Sequence, residues 1–525
     1  MIEGGGFEPP IVVGLDLGTQ STRCLAFDGR GRHLVTASRP TPMRRLADGG
    51  EYDPQLLWTT AESCLGEAIA ALPHGAPVAG IAVASIGETC VLVDADGRAT
   101  APALLWYDRR TEAAAAAIEA RIGRERLFAL TGHRVDPTFG LCKLMWMRDN
   151  WPEAFRRARR VLNVADWIAF QLCGSAATDF TLASRTLVLD IRARRWSQEI
   201  LDALGFSPEL FAPLAAGGRP LGPVRPALAA ALGLARPPIV GVGGHDHLCG
   251  MFAAGAARTG VLLDSMGTAE AFVQGLAQPL SDPAILDRGY FQGRIEADRQ
   301  LAYIGAGINA SGGAIEWFRD LFAAGISHAE LIAEAEEVPA GAGGVSFLPH
   351  LASAPPPDPD VAARGAFVGL TTGTPRGMLF RAILEGLAFE ARRIIDGMAH
   401  IAGVPPPEDI RLIGGSSRNR LFVEIKASVL GRALTILDQP EATALGAALL
   451  GGLAAGVWPD LDGALAALDQ PHHEVLPNPQ WAETYERAYR EVHLQLAPAL
   501  RNINRSIAGH EPPRGPLADK AQTDQ

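Results

Sequence analysis

With 525 residues, 48% of them hydrophobic and 20% charged, the chain has an ordinary globular composition and enough material for two or three domains. A formal net charge of −11 with no long basic stretch excludes a nucleic-acid partner, because backbone phosphates are held by clustered Lys and Arg. No apolar run approaches the ~18 residues of a membrane span, and six scattered cysteines with no C-x-x-C pair point to a reducing, cytoplasmic setting rather than a disulfide or zinc framework.

In chain order, the polar, Gly-rich start from Met1 to Pro10 lacks the basic and apolar regions of a signal peptide. Ile11 to Leu17 reads as a buried strand, Gly18 to Ser21 as a turn, Thr22 to Asp28 as a second strand and Gly29 to Arg32 as a second turn. Val78 to Ser85 and Val91 to Asp94 read as strands flanking a loop. The Ala-rich stretch Ala113 to Ala129 predicts one helix, and Ala154 to Leu172 another that stops at Gly174. Arg156, Arg157, Arg159 and Arg160 read as the solvated face of that second helix. Short strands follow at Ile239-Val240, Gly260 to Leu263 and Ile410 to Ile413, and an Ala-rich helix runs from Glu441 to about Gly456. Its small residues predict tight packing against the second half of the chain. The polar, Pro-rich tail after Ile507 is expected to be disordered. Alternating strands and helices make this an α/β protein.

An internal echo suggests how the halves are arranged. Asp16-Leu17-Gly18-Thr19 follows one apolar strand and Ser265-Met266-Gly267-Thr268 another, about half a chain later. A third glycine turn, Gly414 to Ser417, follows Ile410 to Ile413. A duplicated fold would set two Gly-Thr hairpins face to face across a cleft. The expected boundary lies near 254–259, giving domains 1–255 and 256–508 and a tail 509–525.

Five segments carry candidate chemistry. In D-L-G-T-Q-S-T-R at Asp16, Gly18 permits close approach of an anion, and Thr19, Ser21 and Thr22 add hydroxyls to the backbone N–H groups. Asp16 is a hard oxygen ligand of the kind Mg²⁺ takes, although the same turn serves equally as a plain hairpin. In G-V-G-G-H-D-H-L-C-G at Gly241, Asp246 sits where α/β folds build ligand sites and can accept a proton from an attacking hydroxyl. His245 and His247 open a rival reading as metal ligands on one strand face. Glu88, in a loop between strands, and the L-W-Y-D-R-R segment, with Trp106 and Asp108, suit a hydroxylated ligand with apolar C–H faces, while core packing is the other reading for Trp106. The turn at Gly414-Gly415 opens a helix whose N-terminus favours anions, and Asn419 is placed to bond an adenine or a ribose.

Taken together, these pieces resemble the FGGY family of carbohydrate kinases, in the actin-like, ribonuclease-H-like superfamily, from about Val12 to Val457. The ordered pieces include W-Y-D-R-R at Trp106, K-L-M-W at Lys143, T-D-F-T-L-A-S-R-T at Thr178, G-G-H-D-H at Gly243, S-M-G-T-A-E at Ser265, F-L-P-H-L at Phe347, A-R-G-A-F-V-G-L at Ala363, R-A-I-L-E-G at Arg381, G-G-S-S-R-N at Gly414 and T-A-L-G-A-A at Thr443. The resemblance implies two ribonuclease-H-like domains facing across a cleft, ATP and Mg²⁺ as cofactors, and a small sugar or polyol as acceptor. It implies Asp246 as general base and Asp16 as the acid near Mg²⁺. Gly18, Thr19 and Gln20 fall on one phosphate turn, Gly267 and Thr268 on the other, and Gly312, Gly414, Gly415 and Asn419 along the nucleotide. Glu88, Trp106, Asp108 and His247 fall where the family builds its sugar pocket.

The first domain is expected to hold the sugar and the second most of the nucleotide, with closure expelling water. Family members are often dimers, which makes a homodimer the implied assembly. Glycerol kinases carry Arg-Glu at the position of Gly87-Glu88 and a tyrosine at Thr138, so both departures speak for a larger acceptor: a ketose, a deoxy sugar or a longer polyol. The family's G-E-R-x-P is replaced by A-S-A-P at Ala352 to Pro355. An actin-like ATP-binding regulator without an acceptor is the alternative from another class, and the acid cluster around Asp246 speaks against it.

Overall fold

The computed structural model describes residues 9–439, 441–469 and 471–509, so the first eight residues and the tail beyond 509 lie outside it. Two seven-stranded sheets organise the chain. The first is built from β1 (Ile11–Leu17), β2 (Ser21–Phe27), β3 (His33–Pro40), β4 (Val78–Ser85), β5 (Pro220–Pro223), β6 (Ile239–Gly241) and the short β7 (Gly244–His245), which pairs with β4. The second is built from β8 (Val261–Met266), β9 (Glu270–Leu276), β10 (Phe291–Glu296), β11 (Gln300–Ile308), β12 (Asp409–Ile413), β13 (Leu434–Leu437) and β14 (His472–Val475).

The internal echo is a true duplication of topology. Strand order β3-β2-β1-β4-β6 in the first sheet is matched by β11-β9-β8-β12-β13 in the second. In each, the first three strands are antiparallel neighbours, the hairpin's first strand pairs parallel with the fourth strand, and the fourth pairs parallel with the fifth. The all-buried runs IVVGLDL and VLLDSM fill the central position, as strands covered on both faces must.

Helices cover the sheets. Those that matter for the site are α1 (Pro54–Ala70), α2 (Asp246–Ala253), α3 (Gly312–Phe322), α4 (Arg376–Ala399), α5 (Arg420–Leu430), α6 (Ala442–Ala454) and α7 (Leu494–Ala508). α4 and α5 pack together in the core of the second half. α2 and α6 form an apolar layer between the halves, where Val12, Phe252, Leu263, Ile413 and Leu449 share one buried cluster.

Three expectations need correction. The helix expected over Ala113 to Ala129 is two helices, Glu112–Ile122 and Arg124–Thr131, because Gly123 takes a φ of 90° between them. The helix expected over Ala154 to Leu172 is interrupted by a strand, Arg160–Asn163, drawn out of the helical pattern by pairing with Cys90–Val93. Arg156 and Arg157 therefore end a short helix, Arg159 follows it and Arg160 opens the strand, all four exposed. Third, α6 packs tightly as expected but against the first half's sheet and α2, not chiefly against the second half. A Cβ on Gly14 would stand 1.9 Å from the Ala444 carbonyl oxygen, one on Gly80 2.0 Å from that of Gly451, and one on Gly446 1.8 Å from that of Cys249. Glycine at these points lets helix and sheet backbones touch. All six cysteines are unpaired thiols.

Candidate active site

Both Gly-Thr turns are hairpin tips. Gly18 N–H donates to the Ser21 carbonyl at 3.0 Å, and Gly267 N–H to the Ala269 carbonyl at 3.1 Å. The first tip is held from behind by Thr41, whose hydroxyl donates to the Gly18 carbonyl at 2.8 Å and whose N–H donates to the Gln20 carbonyl at 2.9 Å. The second is sewn to the start of α3: Gly312 and Gly313 N–H donate to the carbonyls of Gly267 and Thr268, at 3.1 and 3.0 Å. A Cβ on Gly312 would lie 2.6 Å from the Gly267 oxygen, so only glycine permits this seam.

Gly267, Thr268, Gly312, Gly415 and Asn419 line one cavity of about 540 Å³, together with Ile315, Ile332, Phe380 and the polar Glu316, His328 and Arg418. Apolar walls with a few polar groups at the rim suit a planar base and a ribose. Gly414, at φ 100°, presses against the Met266 carbonyl and turns the chain into this cavity, while space beside Gly415 is open. Asn419 caps α5, its Oδ1 accepting from Phe422 N–H at 3.1 Å, which leaves its amide group for a ligand.

The sequence analysis missed what lies beneath this cavity. Lys426 of α5, fully buried, donates to Asp264 of β8 at 2.7 Å and to Glu270 of β9, and Ser311 donates to the same Glu270. One buried ammonium thus ties together both strands of the second hairpin, the residue before α3, and α5. Burial pushes the Asp264 carboxyl well up, and neighbouring Glu270 adds to it.

In the first half, Asp246 opens α2 directly after β7. Its Oδ1 accepts from His247 N–H at 2.7 Å and lies 3.4 Å from His245 Nε2. Among the described residues Oδ2 accepts no hydrogen bond. Burial raises its proton affinity, but His245, His247, the His247 N–H and Arg185 outweigh that and hold the carboxylate below its ordinary pKa. Asp16, at the end of β1, behaves oppositely: burial pushes it up to about 6, Arg23 lowers it, and the charges of Asp246 and Glu441 raise it again. Arg23 bridges Asp16 and Glu441 at 2.6 Å each, from the first half to the residue before α6.

The two histidines do not share a strand face: His245 ends β7, whereas His247 lies in α2, with ring centroids 5.6 Å apart. Among the described residues no group of three or more His, Cys, Asp or Glu side chains is placed to hold a metal ion, so the H-x-H reading lacks further ligands. His247 Nδ1 instead meets Ser265 Oγ at 3.3 Å, across the cleft. His245 is held by its backbone N–H, which donates to Thr181 Oγ1 at 2.9 Å, and burial lowers its imidazole pKa.

Glu88 sits at φ 60°, an uncommon setting for a non-glycine residue and one that clusters at functional sites. Its carboxylate is paired with Arg185, a residue of the T-D-F-T-L-A-S-R-T segment to which the sequence analysis gave no role. The Arg185 guanidinium is braced by Phe139 and by Phe291 of the second half, at 5.0 and 5.7 Å. Trp106 is 38% exposed, and its Nε1–H donates to Thr19 Oγ1 at 3.0 Å, joining it to the first Gly-Thr turn.

Asp108 departs from expectation. It is buried, and its carboxylate accepts from Gly50 N–H and Arg110 N–H at 3.0 Å and from the Arg110 guanidinium at 2.8 Å. It holds the loop behind Trp106 and offers no free oxygen to a sugar.

Residues 11–253 match the N-terminal domain of the FGGY family of carbohydrate kinases and residues 262–455 its C-terminal domain. A glycerol kinase of Methylibium petroleiphilum is 33% identical over 93% of this chain and 99% of its own length. An L-fuculokinase of Escherichia coli O157:H7 is 32% identical over 87% of this chain and 95% of its own. The crystal structure of xylulose kinase from Rhodospirillum rubrum superposes with a TM-score of 0.85 at 28% identity, covering 94% of this chain and all of that one. With both halves matched in order and whole-length relatives on record, the chain belongs to the FGGY family of carbohydrate kinases, enzymes that phosphorylate a hydroxyl of a sugar or polyol.

Proposed function

We propose that this carbohydrate kinase moves the γ-phosphoryl group of ATP to a hydroxyl of a cytoplasmic sugar or polyol larger than glycerol, with Asp246 as the base. The observation that carries this reading is the free Oδ2 of Asp246, on a carboxylate kept ionised by its histidine neighbours and standing at the mouth between two glycine hairpins. Asp246 accepts the acceptor hydroxyl's proton as its oxygen attacks phosphorus. The two turns present N–H groups to the phosphates, and the cavity by Phe380 takes the base. The domain split at about 255 puts the acceptor side in the first half and the nucleotide side in the second.

Mg²⁺ fits the donor set. Asp16 and Asp246 are hard oxygen ligands brought close enough that their mutual repulsion raises Asp16, and Mg²⁺ needs only one or two carboxylates beside phosphate and water. When bound there it neutralises charge on the phosphates. Around the acceptor, Glu88, Trp106 and His247 form the wall, and Asp108 supports it from behind.

The chain is closely covered at Gly87. A Cβ there would lie 2.8 Å from the His245 ring and 3.3 Å from Arg185. His245 stands where a side chain at this position would go, and the guanidinium beside Glu88 comes from Arg185. The six free thiols fit the cytoplasm.

The test is a coupled ADP-release screen over ketoses, aldoses and polyols with ATP and Mg²⁺, followed by Asp246→Asn on the best acceptor. The variant should lose about 10²–10⁴ in kcat while ADP binding by calorimetry stays near parental. Near-normal turnover in Asp246→Asn would remove Asp246 from the chemistry.

A further inference from the structure

The second half contains another cavity, of about 640 Å³, that shares no lining residue with the nucleotide cavity. It lies between the C-terminal part of α4, α7 and the loop that begins with the A-S-A-P segment. Ala354 lines it, and the Pro355 carbonyl accepts from Arg393 at 3.3 Å, so this segment, which the catalytic cleft does not use, is a wall of the cavity.

Its lining is polar in an unbalanced way. The aspartates are engaged: Asp358 with Arg393 at 3.1 Å, Asp396 with Arg392 at 3.5 Å, and Asp360 with the Ala362 N–H at 2.8 Å. Arg288 and Arg501 also line it; Arg288 lies near enough to Asp282 to lower that carboxyl, and neither arginine forms a salt bridge among the described residues. Two further lining groups are more than nine-tenths buried and incompletely bonded. His350 is 1% exposed, its Nε2 meets Glu390 at 3.1 Å, and its Nδ1 has no partner. Asn504 is 5% exposed, and among the described residues its amide makes no hydrogen bond. Buried polar atoms are nearly always satisfied, so the bare His350 Nδ1 in this wall asks for a partner, and the Asn504 amide is free to bond a ligand.

We propose that this cavity is a second ligand site, outside the catalytic cleft, for a small phosphomonoester of sugar-phosphate size. Arg288 and Arg501 supply the charge for the phosphate, and Asn504 and His350 the hydrogen bonds for hydroxyls. α4 gives the site a rigid link to catalysis: Phe380 lines the nucleotide cavity, and Arg392 lies twelve residues further along the same helix, about 18 Å on at 1.5 Å per residue.

The experiment is titration calorimetry on the full chain with the nucleotide site saturated by ADP and Mg²⁺, using inorganic phosphate and ribose 5-phosphate as probes. One equivalent of ribose 5-phosphate should bind. The double variant Arg288→Ala/Arg501→Ala should bind it at least about tenfold more weakly, the scale of a lost charged hydrogen bond, with kcat and melting temperature at parental values. Arg501 is exposed, so the single variant Arg501→Glu keeps the fold intact and should weaken binding as well. No binding at millimolar probe, or binding unchanged in both variants, would overturn the proposal; the second result would place the anion at the catalytic turns.

Discussion

Two carboxylates a short distance apart are driven in opposite directions, and the division follows from what surrounds each. Asp246 is flanked by histidines and accepts a backbone N–H, so its charged form is favoured; Asp16 is buried at a strand end beside other acids, so its proton affinity is raised to about 6 even with Arg23 against it. That Asp246 would stand at a strand end was legible in the sequence, because the apolar strand and its glycine-rich close are written locally. Arg185 and Arg23 were not legible, because their partners lie 97 and 418 residues away and no local pattern announces such pairings. On the proposed reading, Trp106 is where the acceptor wall meets the first phosphate turn. Trp106→Phe keeps the ring and loses the bond to Thr19. It should raise the acceptor KM several-fold and increase ADP release without acceptor; an unchanged KM in steady-state assays would show that the indole only packs.

Away from the cleft, Asp166 gives a clean pH test. Burial pushes it up to about 7, against hydrogen bonds from Thr178 and Asn163 that lower it. Its folded pKa lies above its unfolded value, so its favourable contribution is complete below about pH 4 and is lost as pH rises to about 7, roughly 4 kcal/mol in all. Asp166→Asn keeps an acceptor oxygen without the charge. It should melt above the parent at pH 8, with the gain gone at pH 4. A pH-independent difference would mean the carboxylate is not protonated in the native state.

At the scale of elements, the two hairpins and their parallel neighbours were readable because buried strands and Gly-Thr turns are written locally, in runs of β-branched residues closed by glycine. The helical pattern of Ala154 to Leu172 misled for the converse reason. Val161-Leu162-Asn163 becomes a strand only through Cys90–Val93, and tertiary pairing overrides a short local pattern. The same limit hid Lys426, which reads as an ordinary helix lysine in R-L-F-V-E-I-K and is in fact the tie among β8, β9 and α5. Lys426→Met fits the space but leaves Asp264 and Glu270 facing each other in the core. The loss should be about 3–5 kcal/mol in denaturant unfolding, with a higher ATP KM in whatever folds. Adding Asp264→Asn should recover part of the stability. If Lys426→Met alone unfolds like the parent, the buried charges are not coupled as the geometry requires.

For the molecule as a whole, duplication explains the site better than either half can. Each half brings a Gly-Thr tip toward the same gap, and on the proposed reading the base, Asp246, comes from one side while the cavity by Phe380 takes the nucleotide on the other. The halves are joined twice. On one side α2 and α6 form an apolar layer in which glycines let backbones touch, a joint that resists sliding because any shift drives a Cβ-free backbone into its neighbour. On the other side the contacts are polar: Arg194 of the first half holds Glu296 of the second at 2.6 Å, Glu296 also holds the buried Arg294 at 2.8 Å, and Arg294 N–H donates to Ser184 Oγ at 3.0 Å. A polar joint can break and reform as the cleft closes; an apolar one serves as its pivot. Arg194 is one-third exposed, and Glu296 keeps Arg294 without it, so Arg194→Ala should shift the melting temperature by only a few degrees, the scale of a partly exposed ion pair. If this joint helps hold the closed state, KM for ATP and for the acceptor should both rise severalfold, since each substrate draws on the same closure. Varying both substrates in steady state separates the cases: a rise for one substrate alone would place Arg194 in that substrate's site, and no rise for either would leave closure to the apolar pivot.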